Sequence, residues 1–361
     1  MAHVRRRFFN PLVGIGLLVL GIAIAITATR VGFLQGEVPR TSTSNDPAPE
    51  FEGIAGWLNS PPLTVAGLRG KVVLVDFWAY SCVNCVRTFP ALRQLYARYR
   101  AFGLEIVGMH APEFEFEKQT ANVRDAIERN DLAWPVALDN DMETWRAYRN
   151  HYWPHVYLID ARGNVRFDHI GEGGEDLIQG KVRELLQESG AQLPEPIDFN
   201  EKTFNPHLTP EIYAGHLRGA PAGTLGNPGG FRTDRVFDYG RVEGSSVASA
   251  GTDGIIFLEG QWRSTEEYLE AAGDGARVLL PFYAKDVFFV AAAGAGGRVS
   301  VRLTLDGRPV PAGALGKDAP DGIVPVGRSD LFAVLTLTEA GTHVLTLEAE
   351  AGFRLYTFTF G

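Results

Sequence analysis

The sequence predicts an α/β domain, a mixed sheet with flanking helices, followed by an all-β sandwich of jelly-roll type, with a transmembrane helix ahead of both. Three observations carry this expectation. An almost continuous apolar run rich in β-branched residues, Lys71 to Ala79, leads directly into a segment of helical spacing. Beyond residue 210 the pattern changes from helix-interrupted to strand and turn. At the other end, Arg5, Arg6 and Arg7 precede an uncharged stretch from Pro11 to Thr29. At 361 residues the chain is long enough that two compact units are a better expectation than one.

The elements follow in order. A continuous apolar strand suits the centre of a sheet covered on both faces, which is how Lys71–Ala79 reads. Cys82 to Phe102 carries Val86, Phe89, Leu92, Leu95, Tyr96 and Tyr99 on one helical face. A second strand is expected at Leu104–Met109, a helix near Lys118–Arg129, a short strand within Trp134–Leu138 and a helix over Met142–Tyr148. His155–Asp160 and Val165–His169 read as strands joined by the turn at Ala161–Asn164, and Asp176–Gln187 as the last helix. In the second unit, strands are expected at Gly254–Trp262, Arg277–Tyr283, Asp286–Ala292, Arg298–Leu305, Leu331–Leu337, His343–Glu348 and Phe353–Phe360. The glycine-rich Gly219–Gly230 reads as a loop. The division is residues 1–34 for cytoplasmic tip and anchor, 35–50 for a tether, 51–193 for the α/β domain, 194–209 for a linker and 210–361 for the sandwich.

Nineteen residues nearly span a bilayer core of ~30 Å, and the small residues Ala23 and Ala25 lie inside the apolar run instead of after it. An uncleaved single-pass anchor is the expectation. The arginines stay cytoplasmic under the positive-inside tendency, which sends both domains to the extracytoplasmic side, a periplasm or cell surface. The balance of 34 basic against 43 acidic residues excludes a general nucleic-acid binder.

The chain has two cysteines, Cys82 and Cys85, in the segment DFWAYSCVNC. A disulfide closing so small a loop removes little entropy from the unfolded chain and is a poor staple. In an oxidising compartment the pair reads better as reactive than as a scaffold. Cys82 falls where the strand gives way to the helix, so unpaired amides and the helix dipole favour its thiolate. Cys85, one turn further in, is suited to resolving a mixed disulfide. A zinc site would need two more ligands, and no second CxxC or CxxH exists. No metal and no cofactor is expected.

These residues resemble the thioredoxin superfamily, and more closely its TlpA-like extracytoplasmic branch of thiol–disulfide oxidoreductases. Asp76 lies six residues before Cys82 and Pro90 five after Cys85; Leu68-Arg69-Gly70-Lys71 looks like the branch's entry segment, and the extra helix and strand between Met109 and Asp139 like its central insertion. The likeness covers about Phe51 to Glu188. WAYSCVNCVRTFP, HYWPHVYLID, TPEIYAGHLRG and the terminal RLYTFTFG extend it to the soluble part of DipZ-type proteins, in which a carbohydrate-binding-module-like sandwich follows the thioredoxin-like domain. DipZ-type proteins carry a multi-helix membrane domain that supplies electrons, so the resemblance implies a separate membrane electron donor here, with exported protein thiols and disulfides as substrates. It leaves a carbohydrate ligand of the C-terminal domain open, with Trp262, Tyr268, Tyr283 and Tyr356 as a candidate platform, although alternating aromatics in strands usually face a core.

The resemblance also assigns roles. Asp76, the one acid in an apolar strand, would be a buried carboxyl of raised pKa that relays a proton from Cys85, the other reading being an acid at a strand edge. Pro154 fits the cis-proline position beside the cysteines, where a backbone edge pairs with substrate. Trp78, Tyr80, Glu113, Trp153 and His155 are the candidate substrate groove, with core packing of Trp153 and a solvated Glu113 as alternatives. Two other functions stay open. A thiol peroxidase is one, although the turn before Cys82 lacks the proline of the peroxidase pattern. A copper-binding assembly factor using Cys82, Cys85 and His155 is the other, although CVNC is one residue shorter than its usual spacing.

Overall fold

The structure is a computed structural model and describes residues 46–199, 207–294 and 297–361. The expected anchor and residues 35–45 of the tether lie outside the described residues. Among those described, no helix is long and apolar enough to cross a membrane.

The first sheet is built around the predicted central strand. Its elements are β1 (Trp57–Leu58), β2 (Val72–Trp78), α1 (Val83–Tyr99), β3 (Leu104–His110), α2 (Thr120–Arg129), β4 (Val136–Leu138), α3 (Glu143–Ala147), β5 (His155–Ile159), β6 (Val165–Ile170) and α4 (Glu175–Glu188). The strand order is β1-β4-β3-β2-β5-β6. β2 runs parallel to β3 and β3 to β4, while β5 and β6 form an antiparallel hairpin against β2. Every residue of β2 is buried. Its alternation separates two cores: Leu74 and Trp78 pack with Cys85, Phe89 and Leu92 of α1, and Val73, Val75 and Phe77 pack with Trp145, Tyr148 and Tyr157. Each enclosed apolar side chain of this kind contributes roughly 1.5–3 kcal/mol. Gly108, paired with Asp76 across β2 and β3, is needed as glycine, since a Cβ there would lie 2.9 Å from the Trp78 indole nitrogen and 3.0 Å from that of Trp134.

Asp46–Glu50 departs from the expected tether. Pro47 bridges Asn164, Ala48 donates to the Gly163 carbonyl, and the Glu50 carboxylate accepts the amides of Val65 and Ala66. The segment is polar because its hydrogen bonds go to the domain's own turns. The start of the expected linker is likewise seated, with the Ile197 backbone bonded in both directions to the Gln179 amide.

The second half is β-rich: β7 (Ile212–Tyr213), α5 (His216–Ala222), β8 (Val236–Tyr239), α6 (Gly244–Ser249), β9 (Phe257–Ser264), β10 (Leu269–Ala271), β11 (Ala276–Ala293), β12 (Val299–Leu305), β13 (Arg308–Pro309), β14 (Ile323–Val326), β15 (Asp330–Ala349) and β16 (Phe353–Phe360). The strands expected at Arg277–Tyr283 and Asp286–Ala292 are one, β11, with a register shift between Ala284 and Asp286; those at Leu331–Leu337 and His343–Glu348 are likewise one, β15. The short helix α5 occupies the start of the segment read as a loop. All strands belong to one hydrogen-bonded network, in which the first part of β11 pairs with β9 and its second part with β16. The path β11-β16-β10-β9 thus returns to β11, whereas a simple sandwich would hold two separate sheets. Strands as long as β11 and β15 can pass a bend and serve both layers.

The described residues, from Asp46 onward, form one compact unit. Val290, Ala292 and Tyr356 of the β-rich half belong to the same buried cluster as Cys85 and Phe89. The Tyr356 ring sits edge-on to Phe114 and Phe116, at centroid separations of 5.0 and 4.8 Å, and is tilted against Tyr268. Tyr356→Ala should therefore cost about 3–5 kcal/mol in urea denaturation, with Tyr356→Phe close to wild type. A loss below about 1 kcal/mol for the alanine variant would show that the two halves do not share a core.

Candidate active site

The site forms where β2 ends. Leaving the sheet at Trp78, the chain turns through Ala79, Tyr80 and Ser81 and enters α1 with Cys82 as N-cap, whose sulfur accepts the Cys85 amide at 3.1 Å. Cys82 and Cys85 are joined by a disulfide, with Cα atoms 5.3 Å apart. Cys82 is partly exposed and Cys85 fully buried. Thus one cysteine is partly exposed at a helix start, where amides lack partners within the helix, and the other is enclosed one turn in.

Asp76 lies on the α1 face of β2, between Leu74 and Trp78. It is fully buried, and neither carboxylate oxygen has a hydrogen-bond partner among the described residues. Burial pushes its pKa up from 3.8 to about 7. His110, at the end of β3 on the same face, is equally enclosed and held neutral, its pKa lowered by burial to about 3. Its ring stacks on Tyr80 and meets Trp78 edge-on. The Trp153–Pro154 peptide bond is cis and opens β5.

The five residues expected to form a groove do not line one together. Trp78 is fully buried against Phe89, because it projects into the core between the sheet and α1. Tyr80 is 3% exposed, and its hydroxyl donates to the Ser329 carbonyl of the β-rich half. His155 is enclosed, one ring nitrogen against Asn150 at 2.5 Å and the other against Asp168 at 3.2 Å, because β5 carries it beneath the sheet surface. Glu113 is neither solvated nor open: its carboxylate accepts from Arg218 at 2.6 Å and from the Tyr213 hydroxyl at 2.7 Å. Trp153 remains half-buried, its indole N–H donating to the Ala111 carbonyl and its ring lying 4.2 Å from Trp145. With both nitrogens of His155 engaged, the copper set does not assemble, and no group of three or more potential metal ligands occurs among the described residues.

The expected sugar platform does not assemble either. Trp262 is fully buried and donates to the Glu259 carbonyl, Tyr356 lies in the shared core, and Tyr268 and Tyr283 are half-buried.

A residue that sequence reasoning missed is Glu117. It is fully buried in the 3₁₀ turn Glu115–Lys118; one oxygen accepts the Ser81 amide and hydroxyl, at 3.2 and 2.7 Å, and the other the amides of Glu113 and Phe114, at 2.6 and 3.1 Å. Burial, with repulsion from Glu113, pushes its pKa up to about 7 against the pull of these donors. In EFEFEK the acids alternate with Phe114 and Phe116, and nothing local marks Glu117 as the one that turns inward. Its partner Ser81 is 36 residues away.

Residues 44–168 match the AhpC/TSA family and residues 209–361 the family described as thioredoxin like C-terminal domain. Protein DipZ of Mycobacterium bovis and of Mycobacterium tuberculosis is 35% identical over 321 residues, 87% of this chain. The chain spans 43% of the length of those relatives. Thiol-disulfide oxidoreductase YkuV of Bacillus subtilis is 27% identical over 143 residues, 40% of this chain and 96% of YkuV. A solved thiol:disulfide interchange protein of the thioredoxin family from Chlorobium tepidum is 26% identical, covering 40% of this chain and 99% of that one, with a TM-score of 0.35. The chain thus joins a thioredoxin-like AhpC/TSA domain that carries Cys82 and Cys85 to a β-rich C-terminal region matched by the second family, an arrangement similar to part of DipZ.

Proposed function

We propose that the chain exchanges disulfides with exported proteins through the Cys82–Cys85 couple, held at the outer face of a membrane by its N-terminal apolar segment. The observation that carries the chemistry is the pairing of a partly exposed N-cap sulfur with an enclosed one a single turn away. The Cys82 thiolate attacks a substrate disulfide, forming a mixed disulfide and releasing one substrate thiolate. Cys85 then attacks the Cys82 sulfur, restoring the Cys82–Cys85 disulfide and releasing the second substrate thiol, so that two electrons pass to the substrate. The proton of Cys85 goes to the Asp76 carboxylate, whose enclosure gives it a basicity useful near neutral pH. The backbone edge at Pro154 and the half-buried Trp153 receive the substrate chain. A separate membrane dithiol protein re-reduces the couple, and the apolar stretch Pro11–Thr29 behind three arginines supports the tether and its orientation.

The AhpC/TSA match also favours a thiol peroxidase reading. Disulfide exchange accounts better for a resolving cysteine one helical turn from the attacking one. Cys85→Ser should trap protein partners as mixed disulfides with Cys82, and Cys82→Ser should abolish both trapping and insulin reduction. Peroxide turnover by the wild type exceeding insulin reduction would replace this reading with the peroxidase one. Protease added to intact spheroplasts should digest both domains; protected domains would overturn the orientation.

Asp76 gives a second test. In the unfolded chain its carboxyl ionises near 3.8, and in the fold only near 7. Between these values the folded state holds a proton that the unfolded state has lost. Stability therefore falls as pH rises through this window, and above it the full penalty applies, about 4 kcal/mol. Asp76→Asn should raise the thermal midpoint of the oxidised protein at pH 8, with the gain closing toward pH 4, while slowing resolution by Cys85 roughly a hundredfold. Thermal denaturation and stopped-flow thiol exchange measure the two halves. Unchanged kinetics from pH 5 to 9 remove Asp76 from the mechanism, and a destabilised variant at pH 8 shows that its buried charge carries no such penalty.

A further inference from the structure

We propose that the C-terminal domain is part of the redox unit and that Glu117 is the positioning residue through which it holds the Cys82 turn. The inference rests on Cys82 being the attacking sulfur. A continuous set of contacts connects the two. On one side, both hydrogen-bonding groups that Ser81 can donate, its amide and its hydroxyl, end on one oxygen of Glu117. Ser81 immediately precedes Cys82, so its donors are committed away from the sulfur and tie the turn to Glu117. On the other side, the loop that carries Glu117 is gripped by the C-terminal domain at three places. The Glu113 carboxylate is held by Arg218 and Tyr213, the Glu115 amide donates to the Glu267 carboxylate, and Phe114 and Phe116 close on Tyr356. Arg218 also lies over the rings of Phe114 and Tyr213. Tyr80, on the other flank of Ser81, is fastened directly to the C-terminal domain through Ser329. The turn bearing Cys82 is therefore clamped from both ends by a domain that carries no cysteine.

Glu117 has four donors for its two oxygens, which only a carboxylate can accept without offering a competing N–H. A glutamine there has one acceptor oxygen and an amide group that faces donors. One side of the clamp must then open, which frees the Ser81 donors to stabilise a Cys82 thiolate and removes a nearby negative charge.

The test uses the full chain. The equilibrium constant of the couple against glutathione, the rate of Cys82 alkylation at pH 8, above the Glu117 pKa of about 7, and the thermal midpoint are measured for wild type, Glu117→Gln, Ser81→Ala, Arg218→Gln and Tyr213→Phe. Glu117→Gln should shift the equilibrium roughly tenfold toward the reduced form and speed alkylation to match, the scale of one hydrogen bond to a charged group. Arg218→Gln, far from the sulfur in sequence and in the other domain, should shift both in the same direction by roughly threefold. A lowered thermal midpoint with wild-type equilibrium and alkylation would make Glu117 structural only and overturn the proposal. Wild-type values for both Arg218→Gln and Tyr213→Phe would remove the C-terminal domain from it. Should Glu117→Gln fail to fold, Ser81→Ala carries the decision, since it deletes only the hydroxyl bond; an unchanged equilibrium there overturns the proposal. If the wild type itself shows no equilibrium with glutathione, the failure lies with the redox reading of Cys82.

Discussion

Burial of β2 on both faces is the constraint on which the rest depends. A strand with no exposed residue must be covered by α1 on one side and by the Trp145, Tyr148 and Tyr157 layer on the other, so the chain can reach the surface only where the strand stops. That point is the turn at Tyr80 and Ser81, and the first residue beyond it is Cys82. A sulfur at the edge of a sheet and at the head of a helix is thus a product of the packing. The same enclosure gives Asp76 its basicity, because a carboxyl placed among Leu74, Trp78 and the residues of α1 is shut away from bulk solvent, which disfavours its charged form.

Much of the first domain was legible because its signals are local. The apolar run of β2, the helical face from Phe89 to Tyr99 and the turn between β5 and β6 each follow from residues a few positions apart. The second half was legible in the positions of its strands and less so in their connection. Asp286 and the residues from Glu339 to Thr342 look like turn material, yet β11 and β15 run through them, because two long strands paired along almost their whole length tolerate a polar residue at a bend. Nothing within seven residues of the bend reports that pairing.

The groove was the least legible part, for a related reason. Tyr80 and Glu113 were placed by analogy with an isolated domain whose active-site surface faces solvent. Here Ser329, Arg218 and Tyr213 stand against that surface, from positions 100 to 249 residues further along the chain. Polar residues that look free in a linear reading are spoken for by a second domain. Arg129, on the outer side of α2, is another case: it meets Asp330, which Arg328 also holds. The C-terminal half leaves Cys82 and Trp153 partly open and closes most of what surrounds them.

The placement of Tyr356 bears on how the chain comes off the ribosome. Phe114 and Phe116 are synthesised early, and the ring that covers them late, near the end of the second domain. Through most of translation the thioredoxin-like half therefore carries an uncovered aromatic face beside a pair of cysteines. A nascent chain in that condition is prone to stick and to cross-link to its neighbours through disulfides.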